Sequence, residues 1–278
     1  MDFVNKSLRY PLLALSTLFP ASAMASSSIA DTHFFRLGAY SQDADVKLTS
    51  SVVPLPPIEV DLIKDLGTED SNTSIYALYR WHFTQKWSVS VAYQQLELDG
   101  NDTVTANFNF DGNVFISGFA AKTEFNMSTY LIDVGYSFVR NDKWEVMLGL
   151  GLHAFDIESI IDGQASVSDG NNNIIQEETR VSSDVLAPLP NLRGAVTYMI
   201  SPKWEVNVSV GWLSLEIDEV DGSYVYVDLR TEYRFTDHFG VGATYQVAEI
   251  EATVTKNDGF EKADLKFTGP SIYISYGF

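Results

Sequence analysis

The feature that most constrains the fold of this chain is a strict alternation of apolar and polar residues. In residues 204–212 every second residue is large and apolar, and the residues between them are polar or small. The same two-residue period runs through residues 87–93 and 144–152. Successive side chains of a β-strand point to opposite faces. The alternation therefore predicts strands with one face in an apolar medium and one face in a polar or tightly packed medium.

Aromatic residues mark one end of each predicted hairpin. Four short polar turns are each followed by a basic residue, an aromatic residue, one further residue and a valine, in the stretches 86–89, 143–146, 203–206 and 238–241. A soluble sandwich also alternates, but its core has no reason to gather indoles at one end of every hairpin. Trp and Tyr settle at the headgroup level of a bilayer, because their rings are amphipathic. Residues that share the parity of these valines are therefore predicted to face lipid.

The predicted membrane-interface girdle follows from these turns. Its members are Tyr79, Trp81, Trp87, Tyr136, Phe138, Trp144, Tyr198, Trp204, Tyr233, Phe235, Phe239, Tyr276 and Phe278.

The repeat also predicts the number of strands. Five ascending starts and five descending ends indicate ten strands, at about 33–42, 73–83, 87–98, 126–139, 144–156, 188–200, 204–215, 223–235, 239–250 and 264–278. The fold class is therefore predicted to be all-β, a transmembrane antiparallel up-and-down β-barrel of about ten strands, with eight or twelve as alternatives. The stretch 99–125 has apolar residues around a turn, so it predicts a hairpin that either projects or adds two wall strands.

The first 25 residues are typical of a secretory signal peptide. Two basic residues precede an apolar stretch of about ten residues, and Ala23 and Ala25 form the small-x-small cleavage pattern. Such a stretch is shorter than the roughly 20 residues that a membrane helix needs. The predicted organisation is a signal peptide at 1–25 and an outer-membrane β-barrel domain at 26–278.

Charge and cysteine content exclude several functions. The net charge of −19 argues against nucleic acid as a partner, because a phosphate-binding surface is basic. The chain has no cysteine, which excludes disulfides, a catalytic thiol, a thiolate metal site and a lipid-modified N-terminal cysteine.

The last residues of the chain complete a resemblance. Ile272, Ile274, Tyr276 and Phe278 alternate up to a terminal aromatic residue. With the signal peptide and the aromatic-capped hairpins, the chain resembles bacterial outer-membrane β-barrels, similar to the small OmpA-like and OmpW-like families. The resemblance implies an integral location in the cell outer membrane, with periplasmic termini and long extracellular loops. It implies outer-membrane lipid and lipopolysaccharide as partners, and the barrel assembly machinery, for which these four residues would be the assembly signal.

Residues of the opposite parity are predicted to face the lumen. Their charged members form a predicted network of Arg36, Arg80, Asp133, Glu145, Arg193, Glu205, Asp228, Arg230, Glu232 and Arg234. Because the two signs are balanced, each buried charge has a partner available, and ten strands leave little free space. The favoured hypothesis is a largely filled lumen in a structural or surface-interaction protein. The alternative is a narrow channel for ions or small solutes, in which the charges select the solute.

A surface hydrolase is the third and least supported hypothesis. The ten-stranded omptin proteases place an acidic pair and an Asp-x-His pair near the outer rim, whereas here the Asp-x-His spacing occurs at 31–33, at the periplasmic start of the first strand. Only His153 is predicted near the outer rim, beside Asp156 and Glu158. The acidic stretches lack the spacing of an EF-hand loop. We therefore predict no enzyme activity, no catalytic residue, no cofactor and no metal site.

Overall fold

The computed structural model describes residues 27–52, 57–105, 107–110, 113–115, 117–168, 174–217, 219–256 and 259–278. The predicted signal peptide at 1–25 lies outside the described residues. Within them no helix has the length and hydropathy that a membrane crossing requires.

Almost all of the described chain is β-strand. The elements in chain order are β1 (His33–Val52), β2 (Ile58–Asp61), α1 (Leu62–Leu66), β3 (Ser71–His82), β4 (Trp87–Thr103), β5 (Phe108–Phe110), β6 (Asn113–Phe115), β7 (Ala120–Arg140), β8 (Trp144–Ser168), β9 (Ile174–Ser201), β10 (Trp204–Ile217), β11 (Val220–Arg234), β12 (Phe239–Lys256) and β13 (Gly259–Gly277).

Ten of these strands form a closed barrel. Their order around the wall is β1, β3, β4, β7, β8, β9, β10, β11, β12 and β13, and β13 pairs antiparallel with β1 to close the ring. Neighbours in the wall follow one another along the chain, so the barrel is of the up-and-down type. The predicted ten-stranded antiparallel barrel is confirmed.

A local hydrogen-bond pattern shapes three of the four short turns. Thr84 Oγ1 accepts from the backbone N–H of Trp87, and Asn141 Oδ1 accepts from that of Trp144, both at 2.9 Å. Thr236 repeats the pattern with Phe239 at 2.8 Å. A short polar side chain that bonds the backbone ahead of it favours a turn. The residue three positions before these three aromatics is thus part of the repeat, and we call the end of the barrel with the four short turns the turn end.

The outer surface near the turn end is apolar. Leu150 and Ile272 are 69% and 68% exposed, and they belong to a belt of outward-facing Val, Leu, Ile and aromatic residues that runs around the wall. Soluble monomers rarely expose apolar patches beyond a few hundred Å². Strands that are apolar outside and polar inside are the pattern of barrels that cross membranes.

Strand polarity inverts farther from the turn end. On β4, Val91 faces outward and Ser90 is buried, but beyond Tyr93 the buried positions are Leu96 and Leu98, and the exposed one between them is Glu97. The parity of inward and outward positions does not change along the strand. What changes is the side that is apolar, so the wall continues past the apolar belt as an extension with a polar exterior and an apolar interior.

An apolar cluster fills the extension, and we call it the outer core. It includes Val46, Leu62, Leu66, Leu96, Leu98, Phe115, Phe125, Met127, Phe155, Ile161, Ile250 and Phe267. These side chains come from most of the wall strands and form one buried apolar cluster inside the extension.

The segment β2–α1 completes the wall of the extension where β3 is absent. β3 begins at Ser71, whereas its neighbours β1 and β4 continue farther. β2 pairs with β1, Thr68 forms a bridge to Gly100 of β4, and α1 lies between them. The helix buries Leu62 and Leu66 in the outer core.

Both ends of α1 are capped. Asp61 Oδ1 accepts from the backbone N–H of Lys64 at 3.0 Å, and Gly67 ends the helix in the left-handed region, at φ 62°. Partial burial acts to raise the pKa of Asp61, but hydrogen bonds from Lys64 and from the backbone of Ile63 outweigh it and hold this pKa below its ordinary value.

The strands predicted above leave long loops at 43–72, 99–125 and 157–187, and much of this part of the chain is strand instead. β8 and β9 stay paired from Trp144 with Tyr198 out to Ser168 with Ile174, so the loop prediction at 157–187 is wrong. The stretch looked polar because its outward side chains face water above the belt. In the stretch 99–125, β4 and β7 pair out to Thr103 with Ala120, and β5–β6 forms a hairpin whose Phe115 is buried. Beyond the end of the β7–β8 pairing, β6 pairs with β8, at Val114 with Ser166 and Phe115 with Ala165. The hairpin therefore lies against β8 in the extension and adds no strand to the ten of the barrel.

Gly211 tests how tightly the lumen is packed. A methyl group at Gly211 would collide with the buried ring of Tyr226, whereas one at Gly194, on the outer face, would meet Leu148 and Val210 at 3.6 and 3.7 Å. We expect Gly211→Ala to lower the free energy of unfolding by about 1–3 kcal/mol through overpacking. We expect Gly194→Ala to leave it within about 0.5 kcal/mol. Urea unfolding in detergent measures both, and equal midpoints would contradict the packed lumen.

Candidate functional site

The lumen is closed at the turn end by the segment before β1. Ser28, Ile29 and Asp31 are buried there, and we call residues 27–32 the inner plug. Arg140 Nη2 donates to the carbonyl oxygen of Ile29 at 2.7 Å, and Arg234 forms a two-pronged ion pair with the carboxylate of Asp31. A buried carboxylate held by a guanidinium fork is well compensated for its loss of water. The inner plug is thus anchored to two distant strands.

Glu232 is the centre of the charge network above the inner plug. Its carboxylate accepts from the hydroxyl groups of Ser275 and Tyr273 at 2.8 and 3.1 Å. The guanidinium groups of Arg36 and Arg234 lie 3.8 and 3.7 Å from its oxygens. Hydrogen bonds and opposite charges together compensate a carboxylate that is almost fully buried.

Two further carboxylates in the lumen, those of Glu205 and Glu145, each contact a nitrogen-bearing side chain. Arg230 Nη2 donates to Glu205 Oε1 at 2.9 Å. Glu145 Oε1 accepts from the hydroxyl of Ser137 at 2.8 Å and lies 3.2 Å from Nε2 of His82. Both carboxylates are buried, so these contacts replace the hydration that they lose on folding.

The layer of the charge network nearest the outer core contains Asp133, Arg193 and His153. Arg193 Nη1 donates to Asp133 Oδ2 at 3.1 Å, and His153 Nε2 lies 3.4 Å from Asp133 Oδ1. His153 is 0% exposed, and the rings of Tyr224 and Tyr226 pack against it with centroids 5.2 and 5.9 Å away. The imidazole is therefore enclosed by protein on all sides.

His153 does not lie beside the acidic residues predicted for it. Asp156 and Glu158 are exposed on the outer face of β8, whereas His153 faces the lumen, because an odd spacing separates it from both. The predicted placement of His153 at the outer rim with these two residues is therefore wrong.

The structure places all ten predicted network residues in the lumen. Arg80 and Asp228 differ from the others, since among the described residues neither forms an ion pair. Arg80 Nη2 donates to the carbonyl oxygen of Ser28 at 3.1 Å, and Asp228 Oδ1 accepts from Ser209 at 3.4 Å.

Sequence reasoning missed Asp31 and Arg140 as partners in this network. Arg140 faces inward because a β-bulge between Ser137 and Val139 shifts the parity of β7. A strict two-residue count cannot show such a shift. Asp31 precedes the first strand, where the alternation carries no information.

The predicted girdle residues lie on the outer surface at the turn end. Within it the rings of Trp144 and Tyr198 pack with centroids 4.3 Å apart, and those of Phe239 and Tyr276 with centroids 4.8 Å apart. The four predicted assembly-signal residues face outward along β13 and its end: Ile272, Ile274, Tyr276 and Phe278.

A second aromatic ring lies at the other border of the apolar belt. Its members are Tyr93, Tyr130, Trp212 and Tyr245. Each shares the outward parity of its strand and follows the apolar run, which is the signal that would have revealed it. The two rings are six to eight residues apart, which is about 20 to 27 Å along a strand at about 3.4 Å per residue. Strands of membrane barrels tilt by about 35–45°, so this separation spans about 14 to 22 Å along the barrel axis, somewhat less than the apolar band of about 25 Å.

These features define the class of fold as that of bacterial outer-membrane β-barrels. The crystal structure of the outer membrane protease OmpT from Escherichia coli matches with a TM-score of 0.59 and 10% sequence identity, over 88% of this chain and 97% of that chain. OprG from Pseudomonas aeruginosa matches with a TM-score of 0.36 and 14% identity, over 92% of this chain and 99% of that chain. The Pseudomonas putida toluene transporter TodX matches with a TM-score of 0.36 and 8% identity, over 92% and 93%. No protein-family model and no curated protein matches the sequence.

The inner plug provides a test of the ion pair that anchors it. The chain has no native cysteine, so a single Ser28→Cys substitution gives one buried thiol. We expect Asp31→Ala to speed the labelling of this thiol by a maleimide at least about tenfold, because Arg234 is left buried without its partner. A Cys at the exposed Gln85 should react equally fast with and without Asp31→Ala. An unchanged rate at position 28 would contradict the anchoring role of Asp31.

Proposed function

We propose that this chain is an integral protein of the bacterial outer membrane whose sealed barrel carries a folded extension at the cell surface. Its role is that of a structural or surface-interaction protein. The closed barrel and its fold similarity to OmpT support the location, together with an apolar belt bordered by two aromatic rings. In this arrangement the turn end faces the periplasm and the extension faces outward, because short turns of such barrels are periplasmic.

The observation that carries the sealed-barrel proposal is the outer core. It fills the extension with buried apolar side chains from β1, β4, β7, β8, β12 and β13. Moving an ion without its water through such a medium costs many kcal/mol. The inner plug closes the other end. A charge network between two closed ends is suited to stabilising the barrel rather than to selecting a solute.

The positions of the histidines and of the acidic pair that a hydrolase could use also favour a role other than catalysis. Asp43 and Asp45 are exposed on the outer face of β1, and His33 and His238 lie at the turn end, far along the strands from this pair. His82 and His153 are buried in the lumen. No histidine of the described chain meets an acidic pair at the extension, so the OmpT-like fold is proposed here without the protease activity.

The proposed partners follow from the surface. The apolar belt binds the acyl chains of outer-membrane lipid, and the polar wall of the extension lies among the lipopolysaccharide sugars. On this wall basic residues pair with acidic neighbours, as Lys266 does with Glu249 at 2.6 Å. We also propose that the outward alternation at the end of β13 engages the barrel assembly machinery.

Conductance distinguishes a sealed barrel from a channel. We expect the purified protein to give no discrete current steps in a planar bilayer, and Arg230→Ala to give none either, because the outer core blocks the axis in both. A general porin reconstituted in the same way is the positive control. Steady steps in the wild type whose size changes with Arg230→Ala would establish the channel instead.

Cysteine labelling on intact cells tests the location and the orientation. We expect a Glu251→Cys variant, exposed on the outer face of β12, to react with a membrane-impermeant maleimide on intact cells. An Asp142→Cys variant, exposed in a turn, should react only after the outer membrane is permeabilised. The reverse pattern would contradict the orientation, and labelling of neither variant on intact cells would contradict surface exposure.

A further inference from the structure

A small enclosed cavity lies in the lumen between β3 and the strands β9, β10 and β11. Its volume is about 30 Å³, and its lining includes Arg80, Glu145, Arg193, Asn207 and Arg230. Such a volume accommodates one or two water molecules or one monatomic ion. It is too small for an organic solute or a phosphate group.

The three guanidinium groups in the lining have N–H groups that no acceptor of the protein binds. A guanidinium carries five N–H donors. Among the described residues, Arg80, Arg193 and Arg230 each make one hydrogen bond, through one terminal nitrogen. The Nε atom of each is buried without a hydrogen-bond partner. Because unsatisfied buried donors are costly, this excess indicates an acceptor within the cavity.

One guanidinium of the lining has no carboxylate partner. Arg193 pairs with Asp133 and Arg230 with Glu205. Glu145, the carboxylate of the lining, contacts Ser137 and His82 through Oε1, which also lies 3.8 Å from Nε of Arg140. Arg80 contacts the carbonyl oxygen of Ser28 and lies over the ring of Phe34, with its guanidinium carbon 4.9 Å from the centroid, and no carboxylate of the described chain pairs with it. An anion in the cavity would compensate this guanidinium.

The side-chain amide of Asn207 supplies another donor. Its Nδ2 donates to Thr197 Oγ1 at 2.9 Å, and its Oδ1 is buried without a partner. Rotating the amide by 180° lets Oδ1 accept from the hydroxyl of Thr197, since a hydroxyl both donates and accepts. Nδ2 then takes the place of the unpartnered oxygen, and the lining gains an N–H donor.

We propose that this cavity is a halide site that holds one chloride ion through Arg80, Arg193, Arg230 and Asn207. A halide accepts hydrogen bonds and donates none, so it matches the unpartnered Nε–H groups of the three arginines, and its charge compensates Arg80. The site is independent of the proposed function, because an ion held in an enclosed cavity requires no passage through the barrel.

The anion dependence of stability tests the site. The protein is refolded and then unfolded in urea, in sodium chloride or sodium gluconate at equal ionic strength; guanidinium chloride is avoided because it adds the ligand. We expect a higher urea midpoint in chloride, and bromide should replace chloride. Above the dissociation constant, each tenfold rise in chloride should raise the folding equilibrium constant about tenfold. Equal midpoints in chloride and gluconate would overturn the proposal.

A pair of matched variants locates the effect. Arg80→Met removes the guanidinium without a carboxylate partner and should abolish the difference between chloride and gluconate. Arg36→Met removes another lumen arginine, one that pairs with Glu232 and is not part of the cavity lining, and should keep the difference. Loss of the chloride effect in Arg36→Met but not in Arg80→Met would place the anion elsewhere and overturn the assignment.

A direct observation does not depend on the variants folding. Crystals of the wild-type protein grown in bromide should show an anomalous peak at the bromine edge inside the cavity, within hydrogen-bond distance of the arginine nitrogens. A cavity that holds only water in bromide-grown crystals would overturn the proposal.

Discussion

The pairing of β13 with β1 is the interaction on which the rest of the structure depends. Without it, the edges of both strands would leave backbone N–H and C=O groups unpaired at the level of the apolar belt, where water cannot satisfy them. Closure also fixes an inside and an outside. Once the outside is apolar, every charged residue at the same height has to face inward. The ion pairs around Glu232 and Asp133 are the consequence, because each inward charge then needs a partner within a narrow lumen.

The interior changes character along the axis, and the change follows the surroundings of the wall. At the level of the apolar belt the lumen is polar, as at Glu205 and Arg230. Beyond the belt the outer wall meets water, and the interior becomes an ordinary hydrophobic core, as at Leu98 and Phe125. One continuous sheet is therefore stabilised in two different ways along the barrel axis. The lower half is stabilised by paired charges inside and lipid outside, and the upper half by apolar burial alone.

The strand number and the inward or outward direction of most side chains could be predicted from the sequence, because both depend only on local periodicity and on turn residues such as Asn141. The outer core was not predicted, although Leu96 and Leu98 lie at inward positions. The outward residues at this level are polar, and a polar stretch resembles a loop. The inner plug could not be predicted from the sequence for another reason. Asp31 and Arg234 are 203 positions apart, and nothing local connects them. The bulge that turns Arg140 inward likewise breaks the period on which the prediction relied.

At the segment β2–α1 the backbone hydrogen bonding of the extension, which is otherwise continuous, becomes sparse. Between β1 and β4 the wall is joined there by four paired residues of β2, one bridge and a five-residue helix. Fluctuations that cost little free energy concentrate where backbone pairing is sparse. The amide hydrogens of α1 should therefore exchange with solvent while the flanking strands stay protected, so local opening of the extension is concentrated at this segment.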